Sequence, residues 1–356
     1  MPNKTPYISF VVTSRNDNHG GDLRKRMMIF YKGLIHQCNK FKLPCELIMV
    51  DWNSPDQNEL LDKVLPPVSE SDYLSVRYVI VPPEFHTKLR FSEYLGLYQM
   101  IAKNVGIRRS KAEFVLCTNI DLLFSDALFE ELSKRRLETG KFYRANRCDI
   151  PASINENDSV EDQLKFCEAN ILKRLGRISE YAVIYNENGV LFKYPIFNPL
   201  LRFLNWLKPK TISSDEVKLR SMDSDACGDF TMMSKSDWEK IDGYLELEMY
   251  SLHIDTMALF SALAQGIEQV IYPGEMCSFH IAHGGGWDPG NAVEQLQFYN
   301  KRPSLDWWVV ESAGRQIVKE KSNFNMNSNN WGLNNINLEE ISKPIQTEFT
   351  EGKVSR

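Results

Sequence analysis

No apolar stretch in this 356-residue sequence approaches the roughly 20 residues that a helix needs to cross a bilayer, so no membrane-spanning helix is expected. Basic residues are in no excess either: 42 Lys and Arg face 47 Asp and Glu, a net charge of -5. That balance gives no broad electrostatic footprint for nucleic acid, and any phosphate must be gripped locally. The seven cysteines, Cys38, Cys45, Cys117, Cys148, Cys167, Cys227 and Cys277, show no CxxC spacing, and several fall in apolar runs. They read as reduced, mostly buried thiols. No internal repeat is evident. The opening MPNKTPYISF has neither a charged leader nor an apolar segment long enough for a secretory signal, so the expected location is cytoplasmic.

What is present is a large core. With 43% apolar and 11% aromatic residues, the chain can fill one large domain or two smaller ones. Its first 125 residues alternate short apolar runs with helical patterns, the signature of βα units and a largely parallel sheet. Strands are predicted at 7–12, 46–50, 76–81 and 113–118, with helices at 22–39, at 94–108 and after Ser125 or Asp126, either of which can cap the last. Polar residues gather where three of these strands end: Thr13 to Asp17, Asp51 to Pro55, and Asn119 to Asp121. Open α/β sheets bind ligands at that rim. Residues 150–222 are partly polar and helical, partly apolar and broken by prolines, and read as an insertion over one sheet edge. Residues 319–356 are rich in Asn and Ser with few apolar anchors, so a mobile or loosely docked tail is expected.

Asn119-x-Asp121 puts two oxygen-bearing side chains on one side of an extended segment, because side chains alternate with period two. Asp121 there is suited to Mg²⁺ or Mn²⁺, with phosphates and water completing the shell. By spacing alone it is more often a helix cap or turn former.

ISFVVTSRND, ELIMVDWNSP and KNVGIRRSKAEFVLCTNIDLLF, in that order, resemble the conserved segments of GT-A glycosyltransferases of the family 2 type. GDFTMMSKSDWEKIDGYLE followed by SLHIDTMALFSALAQG is similar to the carboxyl-terminal half of galactosyltransferase-like GT-A enzymes. The resemblance implies a GT-A, Rossmann-like α/β fold over 1–318: a mixed, mainly parallel sheet flanked by helices, with a nucleotide-binding half (1–125), the helical insertion (150–222), an acceptor and catalytic half (223–318), and the tail beyond. It implies an enzyme of the hexosyltransferase kind, moving a sugar from a nucleoside-diphosphate donor, a UDP-sugar, to a hydroxyl acceptor on a glycan, glycolipid or protein-linked sugar, with inversion. Base or ribose contacts fall to Thr13, Arg15 and Asp51, pyrophosphate or sugar contacts to Lys103 and Asn104, with Asn119 beside them, and metal binding to Asp121. Asn119 stands where the first Asp of the family's DxD motif is usual, which removes one negative charge and leaves metal dependence open. Asp255 maps onto the base that takes the acceptor proton; a helix N-terminal charge is the other reading of the same residue.

His280 and His283 follow a predicted strand in FHIAHGGGWD, where the related enzymes place a metal-completing histidine. Imidazole is a reasonable ligand for Mn²⁺, and His280, nearer the strand end, is the first choice. Gly284 to Gly286 with Trp287 read either as a loop closing over the diphosphate or as plain surface. Of Asp223, Asp225 and Asp229, Asp229 is best placed to reach donor sugar or acceptor. The apolar stretch 194–210, flanked by Arg202, Lys208 and Lys210, is open to a peripheral membrane contact or to ordinary packing. Arg24-Lys25-Arg26 reads as a solvated helix face, phosphate holding being the alternative. Two rival functions stand beside transfer: a sugar-phosphate nucleotidyltransferase, of whose Gly-rich basic loop NHGGDLRKR is a faint echo, and a nucleotide-sugar-binding homologue without catalysis.

Overall fold

The computed structural model describes residues 5–66, 73–176, 181–186, 189–195, 214–284, 292–324 and 326–343; for 181–195 only the backbone is described. The 194–210 stretch therefore lies almost wholly outside the described residues, as do Gly285, Gly286 and Trp287.

Four runs, buried throughout except at Ser75, form the centre of the large sheet: β1 (Ile8–Ser14), β2 (Cys45–Trp52), β3 (Leu74–Val81) and β4 (Phe114–Cys117). Near-continuous apolar sequence is what a parallel strand needs when helices cover both its faces. The connecting helices, Leu23–Lys40 and Gln99–Arg109, bury Met27, Phe30 and Leu34 on one face of the sheet and Met100, Val105 and Ile107 on the other. Three further strands carry no sequence signal, the first because it is only three residues long and the other two because polar residues interrupt them: β5 (Leu122–Phe124), β6 (Lys141–Arg144) and β7 (Asn146–Ile150). After β8 (Lys173–Leu175) and the hairpin of β9 (Tyr181–Asn186) with β10 (Gly189–Pro195) come β11 (Thr231–Ser234), β12 (Glu268–Ile271), β13 (Cys277–Ile281) and β14 (Glu339–Lys343).

The strands assemble as an eight-stranded sheet of order β12-β6-β11-β4-β1-β2-β3-β14 and a four-stranded sheet of order β5-β13-β7-β8. In the large sheet only β11 and β14 oppose the common direction, so it is mixed and mainly parallel, with helices on both faces. The start of the proposed insertion belongs to the small sheet, since β8 pairs with β7. Helix Val160–Ala169, capped by Ser159, buries Leu164 and Cys167 against that sheet. All seven cysteines are free and buried. No helix of the described residues is long and apolar enough to cross a membrane.

The expectation of a loose tail does not hold as far as residue 343. Helix Trp307–Glu320 packs on helix Ile254–Ala264, and β14 pairs with β3 as the sheet's last strand. A partly buried ion network fastens that edge: Arg77 bonds Glu46 at 3.0 Å and the exposed Glu340 at 2.7 Å. Trp331, only 1% exposed, is the apolar anchor in the Asn-rich stretch, and the Arg108 guanidinium lies 3.6 Å from its ring centroid. Composition hides this, because one tryptophan and a short strand suffice to dock a polar segment. Trp331→Ala is expected to lower unfolding free energy by about 3–5 kcal/mol in urea denaturation, as for other buried Trp truncations. A change below about 1 kcal/mol would mean that the segment only rests on the surface.

Candidate functional site

Strand register builds the centre of the site. His280 on β13 lies directly opposite Asp149 on β7 and opposite Leu122 on β5, one residue after Asp121. The Ile281 N–H donates to the Asp121 carbonyl at 3.0 Å, which extends the β5–β13 ladder to Asp121 itself. Three strands thereby set Asp149, His280 and Asp121 in a row at the rim. Since an ionised carboxylate can only accept, His280 donates Nδ1–H to Asp149 at 3.1 Å, and its Nε2 faces Asp121 at 3.8 Å. His283 brings its own Nε2 to the same Asp121 oxygen at 3.1 Å. Ligand atoms of Asp121, His280 and His283 all lie within 4.8 Å of one another.

Asp121 is 7% exposed, and its Oδ1 is buried without a hydrogen-bond partner. Burial alone would raise its pKa. The His283 hydrogen bond and the charges of His280, His283 and Arg26 outweigh that and hold the carboxyl well below the usual range. Burial would lower the His280 pKa, but the Asp149 bond and the Asp121 charge raise it instead. One carboxylate oxygen and two imidazole nitrogens, with a second carboxylate orienting one ring, fit a divalent cation such as Mn²⁺.

Arg26 is the site residue that the sequence pattern conceals most. It is 2% exposed, donates to Asp121 Oδ2 at 2.9 Å, and bonds the carbonyls of His19 and Gly21. A signal exists nonetheless: Arg26 shares the helical stripe of Leu23, Met27 and Phe30, which is the buried face. Arg26 thus pins the Asn18 to Asp22 loop over the site. Gly20, at φ 71°, passes so near the His283 ring that a Cβ would sit 2.7 Å from Nδ1, so only glycine fits.

A second group adjoins the first through Arg147, also unforeseen, which bonds Asp149 at 2.6 Å and Asp229 at 2.9 Å. Asn119 donates to Asp229 at 2.5 Å and accepts from Gln99 at 2.8 Å and from Lys103 at 3.0 Å. Lys103 is fully buried and also bonds the Gly228 carbonyl at 2.7 Å. Burial lowers its pKa, against the charges of Asp229 and Asp255 nearby. Gly228 is in turn in contact with Asp255, whose Oδ2 would be 2.9 Å from an added Cβ there. Asp255 opens helix Ile254–Ala264, and its Oδ1 accepts from the Thr256 N–H at 2.9 Å. Asp121, His280, His283, Asn119, Asp229, Lys103 and Asp255 therefore form one continuous group of contacts.

The remaining predicted residues stand as follows. Thr13 donates to the Val50 carbonyl at 3.3 Å, and Arg15 pairs with Asp17 at 3.0 Å while lying over Gly96, both at the carboxyl end of β1. Asp51 accepts from Ser54 and, at 2.8 Å, from the Leu61 N–H, so its carboxylate holds its own turn; burial raises its pKa. Asn104 is a correction. It is completely buried and spends its amide on Tyr244 and Glu246, which leaves nothing for a donor. A helix turns 100° per residue, so Lys103 faces the site while Asn104 faces the 244–246 segment. Asp223 and Asp225 wrap the buried Arg144 with their backbone carbonyls.

No family model matches the chain, and no curated protein does. Among solved structures, the crystal structure of S. aureus TarS 1-349 aligns over 88% of this chain and 70% of that one, at 13% identity and a TM-score of 0.44. The structure of TarS 1-349 in complex with UDP-GlcNAc aligns over 88% and 71%, at 12% identity and a TM-score of 0.45. Likeness at this level does not bear on what the chain does.

Arg147→Met would leave two partly buried carboxylates facing each other without their cation. The expected cost is about 3–5 kcal/mol of unfolding free energy by chemical denaturation, as for breaking one side of a buried pair. A loss under about 1 kcal/mol would show that solvent screens the pair.

Proposed function

We propose that the protein is a glycosyltransferase that moves a hexosyl group from a nucleoside-diphosphate donor, a UDP-sugar, to a hydroxyl of a glycan, glycolipid or protein-linked sugar. The observation that carries this reading is the meeting of Asp121, His280 and His283 with Asp229, Lys103 and Asp255 at the carboxyl-end rim of β4, beside the turns that follow β1 and β2. Such a rim is where an open α/β sheet holds a nucleotide.

The nucleoside would lie along the ends of β1 and β2. There Arg15 offers donors, Thr13, whose hydroxyl proton goes to the Val50 carbonyl, offers an acceptor, and Asp51 keeps the 51–61 turn in shape through Ser54 and Leu61. Asp121, His280 and His283 are the residues that would hold Mn²⁺ or Mg²⁺, and a cation bound there supplies positive charge to the departing diphosphate. With Asn119 in place of a second acid, the neighbouring cations Arg26, Lys103 and Arg147 carry much of the local charge balance. Asn119 and Asp229 are held rigidly enough to position the sugar. The step itself is one in-line displacement: the acceptor oxygen bonds the anomeric carbon as the bond to the diphosphate oxygen breaks, its electron pair leaving with the diphosphate. The acceptor proton passes to Asp255, and the anomeric configuration inverts. The Thr256 N–H fixes one Asp255 oxygen, which leaves the other, on the Gly228 side, for the proton.

Asp255→Asn is expected to keep donor affinity, measured by calorimetry with UDP, while transfer falls by about 10²- to 10⁴-fold, the usual contribution of a general base. If Asp255 only favours the helix dipole, the variant loses up to about 1 kcal/mol of stability and keeps its activity. Asp149→Ala frees the His280 ring and is expected to weaken Mn²⁺ binding about 10- to 100-fold in an EPR titration. Unchanged affinity would separate His280 from the ion.

A further inference from the structure

A cavity of about 300 Å³ opens between helices Ser214–Ser221, Ile254–Ala264 and Trp307–Glu320, and one of its walls is the helix that Asp255 opens. We propose that it is the subsite for one neutral pyranose ring of the acceptor, with the Trp307 indole as its platform. This rests on the reading of Asp255 as the acceptor's base.

Volume and lining both suit a small ligand that is apolar on one face and hydroxylated at its edges. Trp307 is 42% exposed, and Phe260 and Met222 continue the apolar wall. The face of an indole is electron-rich, and the C–H face of a pyranose meets it with partial positive charge. On the same helix face as Trp307, one and two turns further on, Arg315 bonds Glu311 Oε1 through Nε at 3.1 Å and through Nη2 at 3.0 Å. A carboxylate held through one oxygen offers the other to a ring hydroxyl, and Ser224 adds a hydroxyl of its own. The Glu311 carboxylate at that edge disfavours a phosphate or a carboxylated sugar there.

The cavity is also in the right place. The Trp307 ring lies 5.4 Å from the His253 ring, two residues before Asp255. Ser224 stands four residues before Gly228, which touches the free side of Asp255. Gly314 fixes the spacing, because a Cβ there would overlap the Phe260 ring, so helix Trp307–Glu320 lies tight on the helix that Asp255 opens. A ring stacked on Trp307 can direct a neighbouring hydroxyl toward Asp255.

The test is saturation-transfer NMR on the full chain with methyl glycosides of the common neutral hexoses and N-acetylhexosamines, with and without UDP. At least one glycoside is expected to show strongest saturation on the C–H protons of one ring face. Trp307→Ala should weaken that binding about 2- to 10-fold, and Trp307→Phe should restore part of it, as loss of an aromatic stacking partner implies. Both variants should keep the thermal stabilisation by UDP seen in the unsubstituted protein. No glycoside binding, or equal binding to Trp307→Ala, with UDP stabilisation intact, overturns the subsite alone. Absence of UDP stabilisation in the unsubstituted protein overturns the donor reading instead.

Discussion

The guanidinium of Arg147, held between Asp149 and Asp229, is the interaction on which the rest of the site depends. Asp149 belongs to the small sheet, and Asp229 leads into the large one. Burial alone would lower the Arg147 pKa, but the two carboxylates raise it, so the cation is locked in place. Through Asp149 it sets the His280 ring toward Asp121, and through Asp229 it sets Asn119 and Lys103 toward Asp255. Two sheets that share no strand are thereby made to present their rims to a single space.

Charge in that space is close to balanced. Asp121, Asp149 and Asp229 are opposed by Arg26, Arg147 and Lys103, all of them at least largely buried. Buried pairs of this kind add little to stability when compared with apolar packing, and their use is to fix geometry. The proposed role, binding a diphosphate and guiding a proton, needs that fixity. Asn119 fits the same logic: as a neutral side chain it links Asp229 to Lys103, where an aspartate would add a further negative charge to be offset.

Much of this arrangement is legible in the amino-acid sequence. Long apolar strands announce themselves in β1 to β4, and Asp121, Asp229, Asp255, His280 and His283 do come together, although they are scattered over more than 150 residues of chain. What fails to show is what depends on tertiary register. β7 is too short and polar for periodicity, so Arg147 and Asp149 have no recognisable element to stand on. Arg26 lies inside a basic run, and charge draws attention away from its place on the apolar stripe of its helix. Asn104 misleads for the opposite reason, since a motif places it beside Lys103 while helix geometry turns it toward Tyr244. The Asn-rich segment misleads by composition, which cannot show that Trp331 and β14 find prepared partners.

The most direct measurement is a crystal structure of the protein soaked with UDP and Mn²⁺. Diphosphate density is expected beside an ion ligated by Asp121, His280 and His283, with the uracil toward Thr13 and Arg15 and the open side of the diphosphate toward Asp255. Nucleotide density elsewhere on the molecule, with the space between Asp121 and Asp255 filled by solvent, would contradict the proposed site.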